Sequence, residues 1–441
     1  MSVSRIIPVL GITVSLALVG CGSAVGPKAS SSPTQPAAST PTASASGQSG
    51  APSPSKSVAP AHAAAWLHVG DLREPRNAAH VVPVGTGQVL VVGSDNICFP
   101  ATGGSDSVEF GDPQTGVWEK TASLPTPRER PALVALPGGQ ALLIGGETGE
   151  EGGPAAYSST YIFDPTTRSW SPSGLLNTAR TGTAAAVLAD GRVLVAGGLY
   201  TGGAAQSERV LDSSEVWDPG SGAWSLTGQM AATRWGASVV TLADGRVLIV
   251  GGVASLESAP TQQASAEVYD PTTGQWSSAG TLATARSGFV LVALPDGGAL
   301  VAGGSGTRVP ILSSVERFDP ASNTWSPAEA LPVAVTDATG IELADGRVLL
   351  AGGTNHPPQM IDAVAGTFVS GLTVDAALFD PKTGTWTATV PMPSPRANAS
   401  AVLLADGSAI FAGGFGSEGD FNATPGCPEA DPQVFQYVPG S

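Results

Sequence analysis

The amino-acid sequence predicts an all-β fold of seven four-stranded antiparallel sheets arranged in a ring, a β-propeller. Three features recur along residues 66–441: a tryptophan, a pair of small residues that closes an apolar stretch, and an Asp-Pro dipeptide. A unit that repeats every ~50 residues buries its apolar surface by stacking against its neighbours. A closed ring of such sheets leaves only short, protected edges.

The three markers agree on seven units. The tryptophans lie 49 to 61 residues apart, at Trp66, Trp118, Trp170, Trp224, Trp276, Trp325 and Trp386. The small-residue pairs begin at Gly93, Gly145, Gly197, Gly251, Gly303, Gly352 and Gly413. The Asp-Pro turns begin at Asp112, Asp164, Asp218, Asp270, Asp319 and Asp380, with Val438-Pro439 as a degenerate seventh.

Each unit has the pattern of four strands. In the third unit, apolar stretches at 182–188 and 192–196 flank an Asp-Gly turn, and two more strands are expected at 214–217 and around Trp224. Asp-Gly between two apolar stretches is a strong hairpin signal, because a type I′ turn needs positive φ at both central residues. Residues 247–250 are apolar on both faces, as expected for a strand between two neighbouring sheets.

The two ends of the repeat array are expected to meet in one sheet. Trp66 precedes the first full unit, and the last unit supplies only three strands, so residues 65–68 should add its outermost strand. Pairing both ends removes an exposed sheet edge. Cys98 and Cys427 fall in corresponding loops of the first and seventh units. In an exported protein they could form a disulfide across the seam; two free thiols are the alternative.

The residues Ser265 to Pro271, followed by Trp276, Arg286 and Gly303-Gly304, resemble the kelch repeat. The resemblance covers residues 66–441 and implies a kelch-type seven-bladed β-propeller. It implies no single function, since kelch propellers serve as oxidases, lyases, sugar-processing enzymes and protein adaptors.

The N-terminal segment predicts export. Arg5 precedes an apolar stretch at 6–20 that is too short to span a bilayer. The following Cys21 completes a sequence that looks like a bacterial lipobox, so we expect a signal peptide at 1–20 and a lipid on Cys21; an ordinary signal peptide is the alternative. Residues 21–62 are rich in Ala, Ser, Pro and Thr and should form a disordered tether. The propeller would then occupy 63–441, outward-facing and lipid-anchored at the cell membrane.

Composition restricts the partners. The net charge is −16, only 13% of residues are charged, and no lysine or arginine cluster occurs. Phosphate backbones would be repelled, so we expect no nucleic-acid partner. Membrane contact is expected only through the lipid anchor, and the propeller is expected to be a monomer.

The loops between the second and third strands are long and unlike one another, so the rim that carries them is the expected recognition surface; loops that vary without binding a ligand are the alternative. Six arginines stand ten residues after a marker tryptophan, where the sixth unit has Val335: Arg76, Arg128, Arg180, Arg234, Arg286 and Arg396. They could clamp an anionic ligand. Alternatively they pair with backbone carbonyls or with Glu109, Glu215, Glu267 and Glu316, which their recurrence favours. His356, in the sixth long loop, is a further binding candidate.

Catalytic groups are scarce. A kelch enzyme of the galactose-oxidase type needs two histidines, two tyrosines and a cysteine around copper, and no such set can be assembled here. The sequence therefore predicts no catalytic residues, no metal site and no cofactor. The leading hypothesis is a non-catalytic propeller that binds a glycan or a protein. A carbohydrate-active or oxidative enzyme and a structural envelope protein are the alternatives.

Overall fold

The computed structural model describes residues 63–93, 105–148, 155–202, 208–256, 261–306, 309–356, 359–362, 367–369, 371–417 and 429–440. The predicted signal peptide, the tether, Cys21, Cys98 and Cys427 lie outside them. The described residues contain strands and turns but no helix, and hence no helix that could cross a membrane.

The strands group into seven blades in chain order. They are β1 (Ala65–Asp71); β2 (His80–Val84), β3 (Gln88–Val92), β4 (Val108–Asp112) and β5 (Val117–Lys120) of blade 1; β6 (Ala132–Ala135), β7 (Ala141–Ile144), β8 (Ser159–Asp164) and β9 (Ser169–Leu175) of blade 2; β10 (Ala184–Val187), β11 (Val193–Ala196), β12 (Leu199–Tyr200), β13 (Arg209–Val210), β14 (Ser214–Trp217) and β15 (Trp224–Leu226) of blade 3; β16 (Ser238–Thr241), β17 (Val247–Val250), β18 (Ser265–Asp270) and β19 (Gln275–Thr281) of blade 4; β20 (Arg286–Ser287), β21 (Val290–Ala293), β22 (Ala299–Ala302), β23 (Ser305–Gly306), β24 (Val315–Asp319) and β25 (Thr324–Ala328) of blade 5; β26 (Thr339–Glu342), β27 (Val348–Ala351), β28 (Gln359–Asp362), β29 (Thr367–Val369), β30 (Ala376–Asp380) and β31 (Thr385–Ala388) of blade 6; and β32 (Ser400–Leu403), β33 (Ala409–Ala412), β34 (Phe415–Ser417), β35 (Glu429–Ala430) and β36 (Gln433–Val438) of blade 7.

Each blade is a four-stranded antiparallel sheet. In blade 1 the order is β2-β3-β4-β5, and every blade repeats this arrangement. The first strands contact one another around the ring: β2 touches β6 on one side and β32 on the other. The first strands therefore surround the axis, and the ring is closed, as predicted.

The N-terminal strand completes the last blade. The seventh sheet has the order β1-β36-β33-β32, with Trp66 opposite Tyr437. The Trp66 ring also packs edge-on against Phe411 and Tyr437, with 5.0 Å between centroids in each pair. This confirms the predicted closure.

Antiparallel connections divide the propeller into two ends. The turns that join strands 1 to 2 and 3 to 4 lie at one end, here called the short-turn rim. The segments that join strands 2 to 3 lie at the other, the long-loop rim. Three of those segments carry small two-stranded ladders, β12-β13, β28-β29 and β34-β35.

The second strands are buried on both faces because each blade lies between two others. In β17, Leu248 and Val250 pack against blade 5, while Val247 and Ile249 pack against blade 3. Successive side chains of a strand point to opposite faces. An uninterrupted apolar strand is therefore the physical requirement of this position.

Each marker tryptophan bonds to the preceding blade. Trp118 Nε1 donates to the Val69 carbonyl at 2.8 Å, which joins blade 1 to blade 7. The other indoles do the same, on Val390 for Trp66, Ala122 for Trp170, Thr160 for Trp224, Ser214 for Trp276, Ala279 for Trp325 and Glu329 for Trp386. The sequence showed that these tryptophans recur, but only the structure shows that their indoles bond one blade to the next.

The short-turn rim has its own links between blades. Arg192 and Arg246, which follow the Asp-Gly turns of blades 3 and 4, donate to the carbonyls of Pro271 and Pro320 in the next blade.

We expect Trp118→Phe to destabilise the propeller by about 1–3 kcal/mol, because it removes buried volume and leaves the Val69 carbonyl unpaired. Trp66→Phe is the matched variant, since its indole bond is exposed, and its cost should be smaller. Urea unfolding of both variants measures the difference, and equal losses would contradict a buried link between blades.

Candidate functional site

The six arginines predicted as binding candidates lie inside the blades. Arg76, Arg128, Arg180, Arg234, Arg286 and Arg396 each expose at most 1% of their surface. Burial in the low-dielectric interior lowers the pKa of the Arg180 guanidinium, and the Glu215 carboxylate partly offsets this effect.

Arg180 shows what these side chains contact. Its Nη1 donates to the carbonyls of Gly197 at 2.8 Å and Ser213 at 3.0 Å, and its Nη2 donates to Glu215 at 2.7 Å. Glu215 also accepts the backbone N–H of Asn177 at 2.7 Å. The pair therefore ties the segment entering the blade to its second and third strands. These contacts match the alternative in which the arginines pair with backbone carbonyls and glutamates rather than with a ligand.

Blades 1, 4 and 5 repeat this arrangement. Glu109, Glu267 and Glu316 bind Arg76, Arg234 and Arg286, and they accept the backbone N–H of Arg73, Ala231 and Ala283. The glutamate is absent from blades 2, 6 and 7, where Tyr161, Ala377 and Phe435 take its place.

The same three blades carry a proline where the N–H donor would stand: Pro125, Pro332 and Pro393. Proline has no N–H, so these blades lack the first of the two backbone donors that a glutamate caps in blades 1, 3 and 4. Blade 6 also replaces the arginine by Val335, which packs in one apolar cluster with Ala377. Removing both charges together avoids an unpaired buried ion. In blades 2 and 7 the arginine stays and lies over an aromatic ring, with Arg128 4.4 Å from Tyr157 and Arg396 4.8 Å from Phe435.

Two residues after each buried arginine, and after Val335 in blade 6, the chain enters the first strand of the blade through a residue with positive φ. These are Ala78 (46°), Arg130 (49°), Gly182 (56°), Gly236 (63°), Gly288 (61°), Asp337 (56°) and Asn398 (54°). We call this ring, which surrounds the axis at the long-loop rim, the axial mouth. Glycine, asparagine and aspartate tolerate such a backbone best, so Ala78 and Arg130 are the unusual residues there.

Backbone bonds link several neighbours in the axial mouth. Gly182 donates to Arg130 at 3.0 Å and Gly236 donates to Gly182 at 3.1 Å. Asp337 donates to Gly288 at 2.8 Å and Asn398 donates to Asp337 at 3.0 Å. Within the described residues no such bond joins Gly288 to Gly236. The N–H of Gly288 and the C=O of Gly236 are thus left without a backbone partner there.

The two charged residues of the axial mouth, Arg130 and Asp337, flank its three glycines, Gly182, Gly236 and Gly288. We call these five residues the arc. The Arg130 guanidinium is neutralised by an ion pair with Glu147. Asp337 has no cation within reach among the described residues, and its carboxylate accepts only the Thr336 hydroxyl, at 3.3 Å. Burial raises the pKa of Asp337 from 3.8 to about 6. Its ionised form is therefore costly in this structure.

Two further polar atoms near this arc lack partners among the described residues: Trp235 Nε1 and Gln262 Oε1. The Trp235 indole packs across Gly182, and Gln262 Nε2 donates to Ser287 Oγ at 2.7 Å, beside Gly288. An unsatisfied buried polar atom costs about 1–3 kcal/mol. The arc thus offers donors and acceptors that a ligand rich in hydroxyl groups, or ordered water, could satisfy.

His356 belongs to the same blade as Asp337. The sixth long loop leaves the ring at Thr354, which forms a β-bridge with Thr336, and the partly exposed His356 follows two residues later. Sequence reasoning missed Asp337 and Trp235. An alignment of the seven repeats would have shown Asp337 as the only acidic residue at its position, and Trp235 as a tryptophan outside the regular spacing.

Within the described part of the chain, His, Cys, Asp and Glu side chains form no group of three or more that could hold a metal ion.

Comparison with known proteins agrees with this architecture. A family model of the Kelch motif matches residues 235–283 and 288–332. Among solved structures, the chain is similar to a fungal alcohol oxidase of the AA5 family in complex with copper. That match has 18% sequence identity and a TM-score of 0.59, and it covers 85% of this chain and 76% of the oxidase. At that identity the likeness concerns the fold alone.

We expect Glu215→Ala to cost about 3–5 kcal/mol, because it leaves the Arg180 charge buried and unpaired. The triple variant Asn177→Pro, Arg180→Val, Glu215→Ala copies blade 6 by removing the Asn177 and Arg180 donors together with the acceptor. It should recover at least about 1 kcal/mol relative to the single variant. Urea unfolding tests this, and a triple variant less stable than Glu215→Ala would contradict the pairing rule.

Proposed function

Because this chain belongs to the kelch-repeat β-propellers, we propose that it is a binding propeller, without catalytic activity, whose ligand is a glycan held at the axial mouth. The propeller would act as a monomer, exported and tethered outside the cell membrane through a lipid on Cys21.

The observation that carries this proposal is the Asp337 carboxylate. It is desolvated, lacks a cation among the described residues, and occupies a position where blades 1 and 7 have the uncharged Ala78 and Asn398. The propeller would be more stable without this charge. A carboxylate that costs stability, placed in the ring of residues around the axis, is a candidate for ligand recognition.

The mixture of polar groups favours a glycan. The arc supplies donors in the Gly288 N–H and the Trp235 indole, and acceptors in the Gly236 carbonyl and Asp337. A sugar hydroxyl donates and accepts at once, so adjacent hydroxyls can satisfy such a set. A protein ligand would instead be expected to engage the surrounding loops over a wider area.

The predicted tether fits this role. Its 42 residues, 21–62, could extend roughly 140 Å. That reach would hold the long-loop rim clear of the membrane and let it meet a ligand on a neighbouring surface.

A glycan-array screen of the full chain, carrying Cys21→Ser to prevent lipidation, tests the proposal. We expect a specific glycan to bind and Asp337→Asn to abolish that binding. Asp244→Asn, an exposed carboxylate on the short-turn rim, is the matched control and should bind normally. A glycan that binds Asp337→Asn as well as the parent chain would refute the mouth as the site. A protein ligand without any glycan signal would refute the glycan.

The same variant should change stability in a pH-dependent way. Because the pKa of Asp337 is about 6 when folded and 3.8 ordinarily, the folded chain holds more protons between these values. Asp337 therefore contributes a fall in the free energy of unfolding as pH rises from about 4 to 6. Asp337→Asn removes this contribution and should stabilise the propeller at pH 7 by about 1–3 kcal/mol relative to the parent chain. Urea unfolding at pH 4 and pH 7 measures it. No gain at pH 7 would contradict a desolvated carboxylate.

A further inference from the structure

A cavity lies on the short-turn rim, at the opposite end from the axial mouth. It opens between turns of blades 5 and 6, and Pro295, Glu342, Arg347 and Lys382 are among its lining residues. Its volume is about 750 Å³, within the usual range for small-molecule sites.

Glu342 breaks the repeat at this cavity. It ends β26, the first strand of blade 6, at a position where the other six blades have uncharged residues: Pro83, Ala135, Val187, Thr241, Ala293 and Leu403. Its carboxylate has no hydrogen bond or ion pair among the described residues, and burial raises its pKa from 4.5 to about 7. The fold thus has no evident structural use for this charge.

Lys382 is the second charge outside the repeat pattern. It lies in the Asp-Pro turn of blade 6, where the other turns have Gln114, Thr166, Gly220, Thr272 and Ala321. Its ammonium group is exposed and forms no ion pair among the described residues.

The remaining charges that face Glu342 across the cavity are already engaged. Asp345 binds Arg347 at 2.8 Å, and Asp296 pairs with Arg317. Asp380 accepts the backbone N–H of Lys382 at 2.8 Å. Two of the four lining carboxylates, Asp296 and Asp345, are thus neutralised by Arg317 and Arg347. Glu342 and Asp380 remain against the single cation of Lys382, so one negative charge is left in excess. This balance favours a cationic ligand.

We propose that this cavity binds a small aliphatic amine, with its ammonium group on the carboxylate of Glu342. An ammonium donates three hydrogen bonds and needs no fixed coordination geometry. A metal ion is a poorer fit, since no three acidic side chains in the described ranges come close enough to share one.

Amine binding at this site must be linked to pH. The ammonium favours the ionised form of Glu342, so binding below about pH 7 releases a proton. Affinity should therefore rise between pH 6 and pH 8, and the heat of binding at pH 6 should depend on the ionisation enthalpy of the buffer.

Isothermal titration of putrescine into the full chain carrying Cys21→Ser tests the site. We expect binding that tightens at least about fivefold from pH 6 to pH 8, while the uncharged 1,4-butanediol does not bind. Glu342→Gln should weaken binding by about tenfold or more and remove the pH dependence. Glu342→Thr removes the same carboxylate and introduces the residue type that blade 4 has at the equivalent position, Thr241. It should weaken binding in the same way.

Two further variants sharpen the test. Lys382→Ala should strengthen binding a few-fold, because it removes a repelling cation. Asp190→Asn, on the turn of blade 3 that is equivalent to the Asp345 turn, should not change binding. Putrescine that fails to bind the parent chain at pH 8, or that binds both Glu342 variants unchanged, would overturn the proposal. Asp337→Asn should leave amine binding intact, so the two sites stand or fall separately.

Discussion

The whole architecture depends on blades that are apolar on both faces. A strand such as β17 is fully buried only if one sheet covers each side of its blade. Seven such sheets have no stable arrangement as an open stack, because each end would expose an apolar face. The ring solves this by bringing β1 into the last blade beside β36, and every described core cluster spans two neighbouring blades as a consequence.

Polar groups set the spacing and angle of the blades within that apolar frame. The seven indole bonds all run to the preceding blade, and the buried arginines anchor the segment that enters each blade. The arginine and glutamate positions also respond to one another. Glutamate occurs where the entering segment has an N–H to cap, and it is missing where proline removes that donor. The repeats thus vary in compensated sets, as expected when unpaired buried polar groups are costly.

Blade 6 departs most from the repeat. It has lost the buried arginine and glutamate, and it carries Asp337 at one end of its first strand and Glu342 at the other. Both carboxylates are desolvated, and neither has a counter-charge among the described residues. Structural pressure keeps equivalent positions alike in a symmetric ring, and blade 6 is where the described residues depart from it most. The two proposed sites share this blade but use opposite rims.

The sequence by itself determined the number of blades, the four strands in each, the closure by the N-terminal strand and the apolar character of the inner strands. Those features follow from local periodicity and turn chemistry, which recur seven times and so reinforce one another. Only the tertiary structure decided the roles of individual polar residues. Arg180 could have been a ligand clamp or a buried pair until its contacts with Gly197 and Glu215 were known. Asp337 and Glu342 became candidates only when burial without a partner was visible, because desolvation arises from residues of other blades that are distant in the sequence.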